Sequence, residues 1–162
     1  MAEPPIRICF VCLGNIFRSP TAEGVMKHLI DEAKLGHRFV IDSAGTGAHH
    51  VGEKADTRSR AEALRRGVKL TSLARLFTAE DFAKFDYIVP MDSKNERDIV
   101  RLAKTPQERA KVARLRSYDP TASHGDVPDP YYGGANGFVD VYDICAAGCA
   151  GLLAHVRDKH KL

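Results

Sequence analysis

The segment from Ile6 to Cys12, IRICFVC, constrains this chain more than any other. It follows Pro4-Pro5, is almost wholly apolar, and shows no polar alternation. A strand with one wet face alternates, so an unbroken apolar run predicts a strand covered on both faces. Two comparable runs, RFVIDSA at 38–44 and DYIVPM at 86–91, predict further strands, and Leu115 to Tyr118 is expected to be a short fourth. Helical spacing fills the gaps. From Pro20, PTAEGVMKHLIDEAK sets Val25, Met26, Leu29 and Ile30 on one face, with Ser19 expected at the N-cap and Pro20 at the first helical position. Residues 56–67, 93–104, 106–113 and 138 to about 160 are expected to be helices as well. Strands alternating with helices need crossover connections, which build a parallel sheet. The expected fold is α/β: one domain over residues 1–162, with a four-stranded parallel sheet flanked by helices on both faces. In such sheets ligands bind beyond the carboxyl ends of the strands, which singles out the loop after the first strand.

Composition narrows the function classes. With 44% hydrophobic and 28% charged residues, the chain has the make-up of a water-soluble globular protein. The net charge of +3 comes from 24 basic and 21 acidic residues mixed along the chain, and no basic stripe predicts a nucleic-acid partner. No apolar run approaches the roughly 20 residues of a membrane helix. The start, Met-Ala-Glu-Pro-Pro, lacks the features of a signal peptide, so a cytoplasmic location without membrane attachment is expected. Four cysteines, at 9, 12, 145 and 149, predict buried thiols with at most one reactive. His49-His50 has no third ligand at zinc-like spacing, so neither a metal nor another cofactor is expected.

The loop after the first strand reads Cys12-Leu13-Gly14-Asn15-Ile16-Phe17-Arg18-Ser19. A phosphoryl group has three oxygens to hold and one bond to break. Without a metal this needs a nucleophile behind the phosphorus and donors around its equator. If residues 13–17 curl into a nest, their N–H groups converge on one anion. Gly14 and Asn15 are the residues best able to take the positive φ of such a curl. Arg18 offers a planar fork for two oxygens, and the helix from Pro20 points its positive end at the site. The same field favours thiolate at Cys12, and the Ser19 hydroxyl is placed to donate to the sulfur. Cys-x5-Arg alone is not specific; strand before, Gly-Asn inside and Ser-Pro after give it meaning. The remaining need is a proton for the leaving group. The proline-rich stretch 119–137 predicts a long surface loop, in which Pro130 holds Asp129 extended. Tyr131 and Tyr132 beside it are able to wall a slot for a flat aromatic group.

Taken together, CLGNIFRSPTAEG, DSAGT at 42–46, MDSKN at 91–95 and DPYYGG strongly resemble the low-molecular-weight protein tyrosine phosphatases, over nearly the whole chain. The resemblance implies a phosphocysteine intermediate on Cys12, Arg18 as phosphate clamp and Asp129 as general acid then base. It implies Leu13, Gly14, Asn15, Ile16, Phe17, Ser19, His49, Tyr131 and Tyr132 around the substrate, with Ser43 in support. The implied substrate is a phosphotyrosine protein or small aryl phosphate, as for an acid phosphatase, and inorganic phosphate is the product. A monomer or weak dimer is expected. Three departures stand out. Phe17 occupies the place where many members carry a second cysteine, His49 a place often aromatic, and Ser72 a place where a histidine often supports Asn15. Arsenate reduction would need two more cysteines near the site, and Leu70 to Met91 holds none. Ile16 favours phosphotyrosine over phosphoarginine, and a non-enzymatic phosphate-binding module would require the same residues in a disrupted geometry.

Overall fold

The computed structural model describes residues 3–134 and 136–162; Ala135, inside the expected loop, lies outside them. Strand β1 (Ile6–Cys12) is the middle of a parallel sheet, with β2 (Phe39–Gly45) on one side and β3 (Tyr87–Pro90) on the other. Its apolar run is explained by its two covered faces. Ile6, Ile8, Phe10 and Cys12 join one core with helices α1 (Arg18–Glu32) and α6 (Gly137–His160), through Val25, Met26, Cys149 and Leu152. Cys9 and Val11 point the other way, into a second core with Phe77, Phe82, Phe85, Ile88 and Ile99. Phe82 and Ile99 come from α3 (Asp81–Lys84) and α4 (Ser93–Val100). The other helices are α2 (Thr57–Arg65), capped by the Asp56 side chain, and the single turn α5 (Pro106–Arg109).

Among the described residues the sheet has three strands, not the four expected. Leu115–Tyr118 is a 3-10 turn, and the chain touches the free edge of β3 only at Val112, through Ile88 N–H to Lys111 O and Ala113 N–H to Ile88 O. Residues of a parallel strand present their groups to alternate edges, so Pro90 would be the next donor on that edge. It has no N–H, and the ladder stops.

Ser19 is not an N-cap. The helix already begins at Arg18, so Ser19 and Pro20 lie inside the first turn, where a missing N–H costs nothing. The serine hydroxyl is thereby free for the loop. α6 is long and apolar enough to cross a membrane, contrary to the run-length expectation. Here its buried face, which includes Cys145, Cys149, Leu152 and Val156, packs against α1 and the 115–118 turn.

Candidate active site

The loop leaves β1 at Cys12 and enters α1 at Arg18, at the carboxyl end of the central strand. Four of its carbonyls accept hydrogen bonds from the surrounding chain. Cys12 O and Leu13 O accept from Thr46 and Gly47 N–H, Ile16 O from Asp56 N–H, and Phe17 O from the Thr21 hydroxyl. Among the described residues, no backbone acceptor takes the N–H groups of Leu13 through Phe17. Donors left this way beside a helix start form an anion-binding nest. Asn15 adopts the positive φ expected of it, at 58°. Gly14 does not; what its missing side chain provides is room, since a Cβ there would sit 3.1 Å from the His50 ring. Gly45 allows β2 to run close beneath, where a Cβ would lie 2.7 Å from Leu13 O.

Asn15 is pinned from three sides. Its amide donates to Ser19 Oγ at 2.8 Å and Ser43 Oγ at 3.0 Å, and its oxygen accepts the Arg75 N–H at 3.0 Å. Ser72 makes no hydrogen bond to it, so the support expected there comes from Ser43 and the Arg75 backbone instead. Ser19 Oγ lies 3.0 Å from Cys12 Sγ.

Arg18 is almost fully buried and gripped from behind. Its Nη1 donates to Asp92 Oδ2 at 2.7 Å and to Val127 O at 2.9 Å. Burial opposes its charge, but the Cys12 sulfur, Asp92 and Asp129 outweigh burial and raise its pKa above the ordinary value. Asp129 faces it across the mouth, with Oδ2 3.9 Å from Nη2. Pro130 keeps Asp129 extended (ψ 118°), as expected, and its Oδ1 accepts the Tyr131 N–H at 2.9 Å. A pocket of about 190 Å³ is lined by Cys12, Leu13, Gly14, Ile16, Phe17, Arg18, His49, His50, Asp129, Tyr131 and Tyr132. The fold thus gathers the expected loop, acid and wall residues in one cavity, with Asn15, Ser19 and Ser43 beneath it.

Residues 7–162 match the family model for low molecular weight phosphotyrosine protein phosphatase. The chain belongs to that family. It is 47% identical to a low molecular weight protein-tyrosine-phosphatase of Streptomyces coelicolor over 94% of both chains. It is 39% identical to the human low molecular weight phosphotyrosine protein phosphatase, over 94% of this chain and 98% of the human one. A crystal structure of protein tyrosine phosphatase from Entamoeba histolytica matches with a TM-score of 0.91 at 39% identity, covering 97% of this chain and 99% of that one. These relatives are hydrolases, and this chain is a phosphatase of the same kind.

Four contributors were missed in the sequence. Asp92 is the cap of α4, accepting Asn95 N–H at 2.8 Å, and its second oxygen holds Arg18. Glu23 lies in the expected α1 helix and is buried beneath Ser43. Arg75 and His50 carried no local signal. MDSKN at 91–95 was the nearest available hint for Asp92.

Proposed function

We propose that this phosphatase hydrolyses phosphotyrosine and small aryl phosphates through a phosphocysteine formed on Cys12. The Cys12 thiolate attacks phosphorus from behind, and the bond to the aryl oxygen breaks as Asp129 gives that oxygen a proton. Water then gives a proton to the Asp129 carboxylate and attacks phosphorus. The sulfur–phosphorus bond breaks, thiolate returns and inorganic phosphate leaves. Through both steps the loop N–H groups and Arg18 hold the equatorial oxygens, and the Ser19 hydroxyl steadies the sulfur as nucleophile and leaving group.

The observation that carries the reading is the unpaired N–H groups of residues 13–17 curled beside Cys12, with Arg18 aimed across them. Apolar and aromatic walls from Ile16, Phe17, Tyr131 and Tyr132 suit a flat aryl group. The Entamoeba protein was solved with Hepes in its active site, so a site of this kind accepts an organic anion there.

The test is hydrolysis of an aryl phosphate by the native protein, Cys12→Ser and Asp129→Asn. The serine variant is expected to lose turnover, and Asp129→Asn to lose about 10²–10⁴-fold, the usual worth of a placed acid. Equal rates in native protein and Cys12→Ser would end the mechanism. Phosphotyrosine, phosphoserine and phosphoarginine peptides compared side by side set the substrate class, with phosphotyrosine expected to be fastest.

A further inference from the structure

Glu23 is a buried carboxylate that the chemistry above does not use. It lies on α1 one turn after Ser19 and one turn before Lys27, so the three share a helix face. A carboxylate removed from water is costly unless its oxygens find partners. Both of these do: Oε1 accepts the Ser43 hydroxyl at 2.5 Å, and Oε2 accepts the Lys27 ammonium at 2.6 Å. Lys27 is half exposed, so its head group reaches in from the surface.

That contact decides the direction of every bond above it. Ser43 has one proton, which points at Glu23, so toward Asn15 its oxygen is an acceptor. Asn15 must then present its NH2 to both hydroxyls, and its oxygen meets the Arg75 N–H. Ser19 accepts from Asn15, leaving its own proton for Cys12 Sγ at 3.0 Å, nearer than its other acceptor, Ala44 O, at 3.4 Å. A reversed network exists in principle, with both hydroxyls donating to the Asn15 oxygen. It would turn the Ser19 proton away from the sulfur. Glu23 opposes it by holding the Ser43 proton, and the Arg75 N–H opposes it by requiring an acceptor.

We propose that Glu23, with Lys27 as its counter-charge, is a positioning residue for Cys12: it fixes the direction of the Ser43–Asn15–Ser19 chain so that Ser19 donates to the sulfur. The inference rests on Cys12 being the nucleophile.

Glu23→Gln tests it with shape preserved. In that variant the amide NH2 cannot face the donor-only Lys27 ammonium, so the new amide turns its oxygen to Lys27 and its NH2 to Ser43. Ser43 then accepts, and its proton is released toward Asn15. The expected result is about a tenfold slower alkylation of Cys12 by iodoacetate at neutral pH, the scale of one hydrogen bond to a charged group. Hydrolysis of the phosphocysteine should slow about as much, with KM unchanged. Adding Lys27→Met frees the glutamine to turn its oxygen back to Ser43, so Glu23→Gln/Lys27→Met should recover most of the loss. A merely structural role predicts a double variant worse than either single one. Native alkylation in Glu23→Gln, or no recovery in the double variant, would overturn the proposal. Should Glu23→Gln fail to fold, Ser43→Ala reads the same link, with the same loss expected and native alkylation overturning it. Turnover by Cys12→Ser would instead defeat the mechanism itself; alkylation reads the thiolate without turnover, so the two failures are distinct.

Discussion

A guanidinium that clasps a phosphoryl group must not swing, and Arg18 is fixed from the side away from the pocket. Asp92 and Val127 O together hold Nη1, and Asp92 does so from the N-cap of α4. Asp92→Asn keeps an oxygen for the helix cap but removes the charge facing a cation that is 4% exposed. The expected cost is about 1.5–3 kcal/mol in stability, with kcat/KM down about tenfold or more. Urea unfolding together with aryl phosphate kinetics checks both, and a variant within twofold of native would show that Arg18 does not depend on Asp92. Phe17 supports a second prediction. It packs on Phe138, ring centroids 5.8 Å apart, so no second thiol stands in the loop beside Cys12. The other three thiols are fully buried, and burial pushes each well above its ordinary range, so none supplies a thiolate to resolve oxidised Cys12. Peroxide should therefore carry Cys12 past sulfenic acid, and activity should not return with added thiol. Phe17→Cys should restore recovery, and ready recovery in the native protein would contradict the argument. Cys12, Arg18 and Asp129 were legible because they lie on one short loop or beside a proline. Asp92, 74 residues from Arg18, was not, since nothing local marks a carboxylate for a distant partner.

Helix α6 closes the core by pressing unusually close to the 115–118 turn. A Cβ at Gly151 would lie 2.0 Å from Tyr118 O, and one at Gly148 would lie 2.6 Å from the Leu115 side chain. Alanine favours a helix interior over glycine by about 1 kcal/mol. Overpacking against a backbone carbonyl costs about 1–3 kcal/mol. Gly151→Ala should thus destabilise despite its better propensity, as a lower midpoint in urea; a higher midpoint would mean that helix and turn part freely. The same turn marks where sequence reading failed. Apolar runs predicted three strands correctly, because burial on two faces writes itself into every residue. They could not distinguish a fourth strand from a 3-10 turn, since that choice was made by Pro90 on the neighbouring edge. Likewise Ser19-Pro20 has the chemistry of a cap, and the loop's demand for a hydroxyl beside Cys12 goes with a helix start two residues earlier.

Across the whole molecule, the two cores on either side of β1 hold three thiols whose burial favours the protonated form. Cys145 and Cys149 point from α6 toward backbone oxygens of α1, Arg18 O and Ala22 O, while Cys9 lies on the opposite face of β1 near Arg75. Burial is the main cause of each raised value, and it pushes Cys145 from 9.0 up to about 12. Unfolding releases these groups to water, where they deprotonate near their ordinary value. Above about pH 9 the native state therefore binds more protons than the unfolded chain, and stability falls as pH rises. Between 9.0 and about 12 Cys145 removes about 1.4 kcal/mol per pH unit, and the raised Cys9 and Cys149 act in the same direction. Below pH 9 these thiols leave stability independent of pH, and iodoacetate at neutral pH should label Cys12 alone. Urea midpoints measured from pH 8 to 11 should drop steeply after pH 9. Cys149→Ala loses some packing at every pH but should flatten that slope, since one ionising thiol is removed. A midpoint flat to pH 11, or a slope that Cys149→Ala leaves unchanged, would mean that the core opens to water at a lower cost than its packing implies.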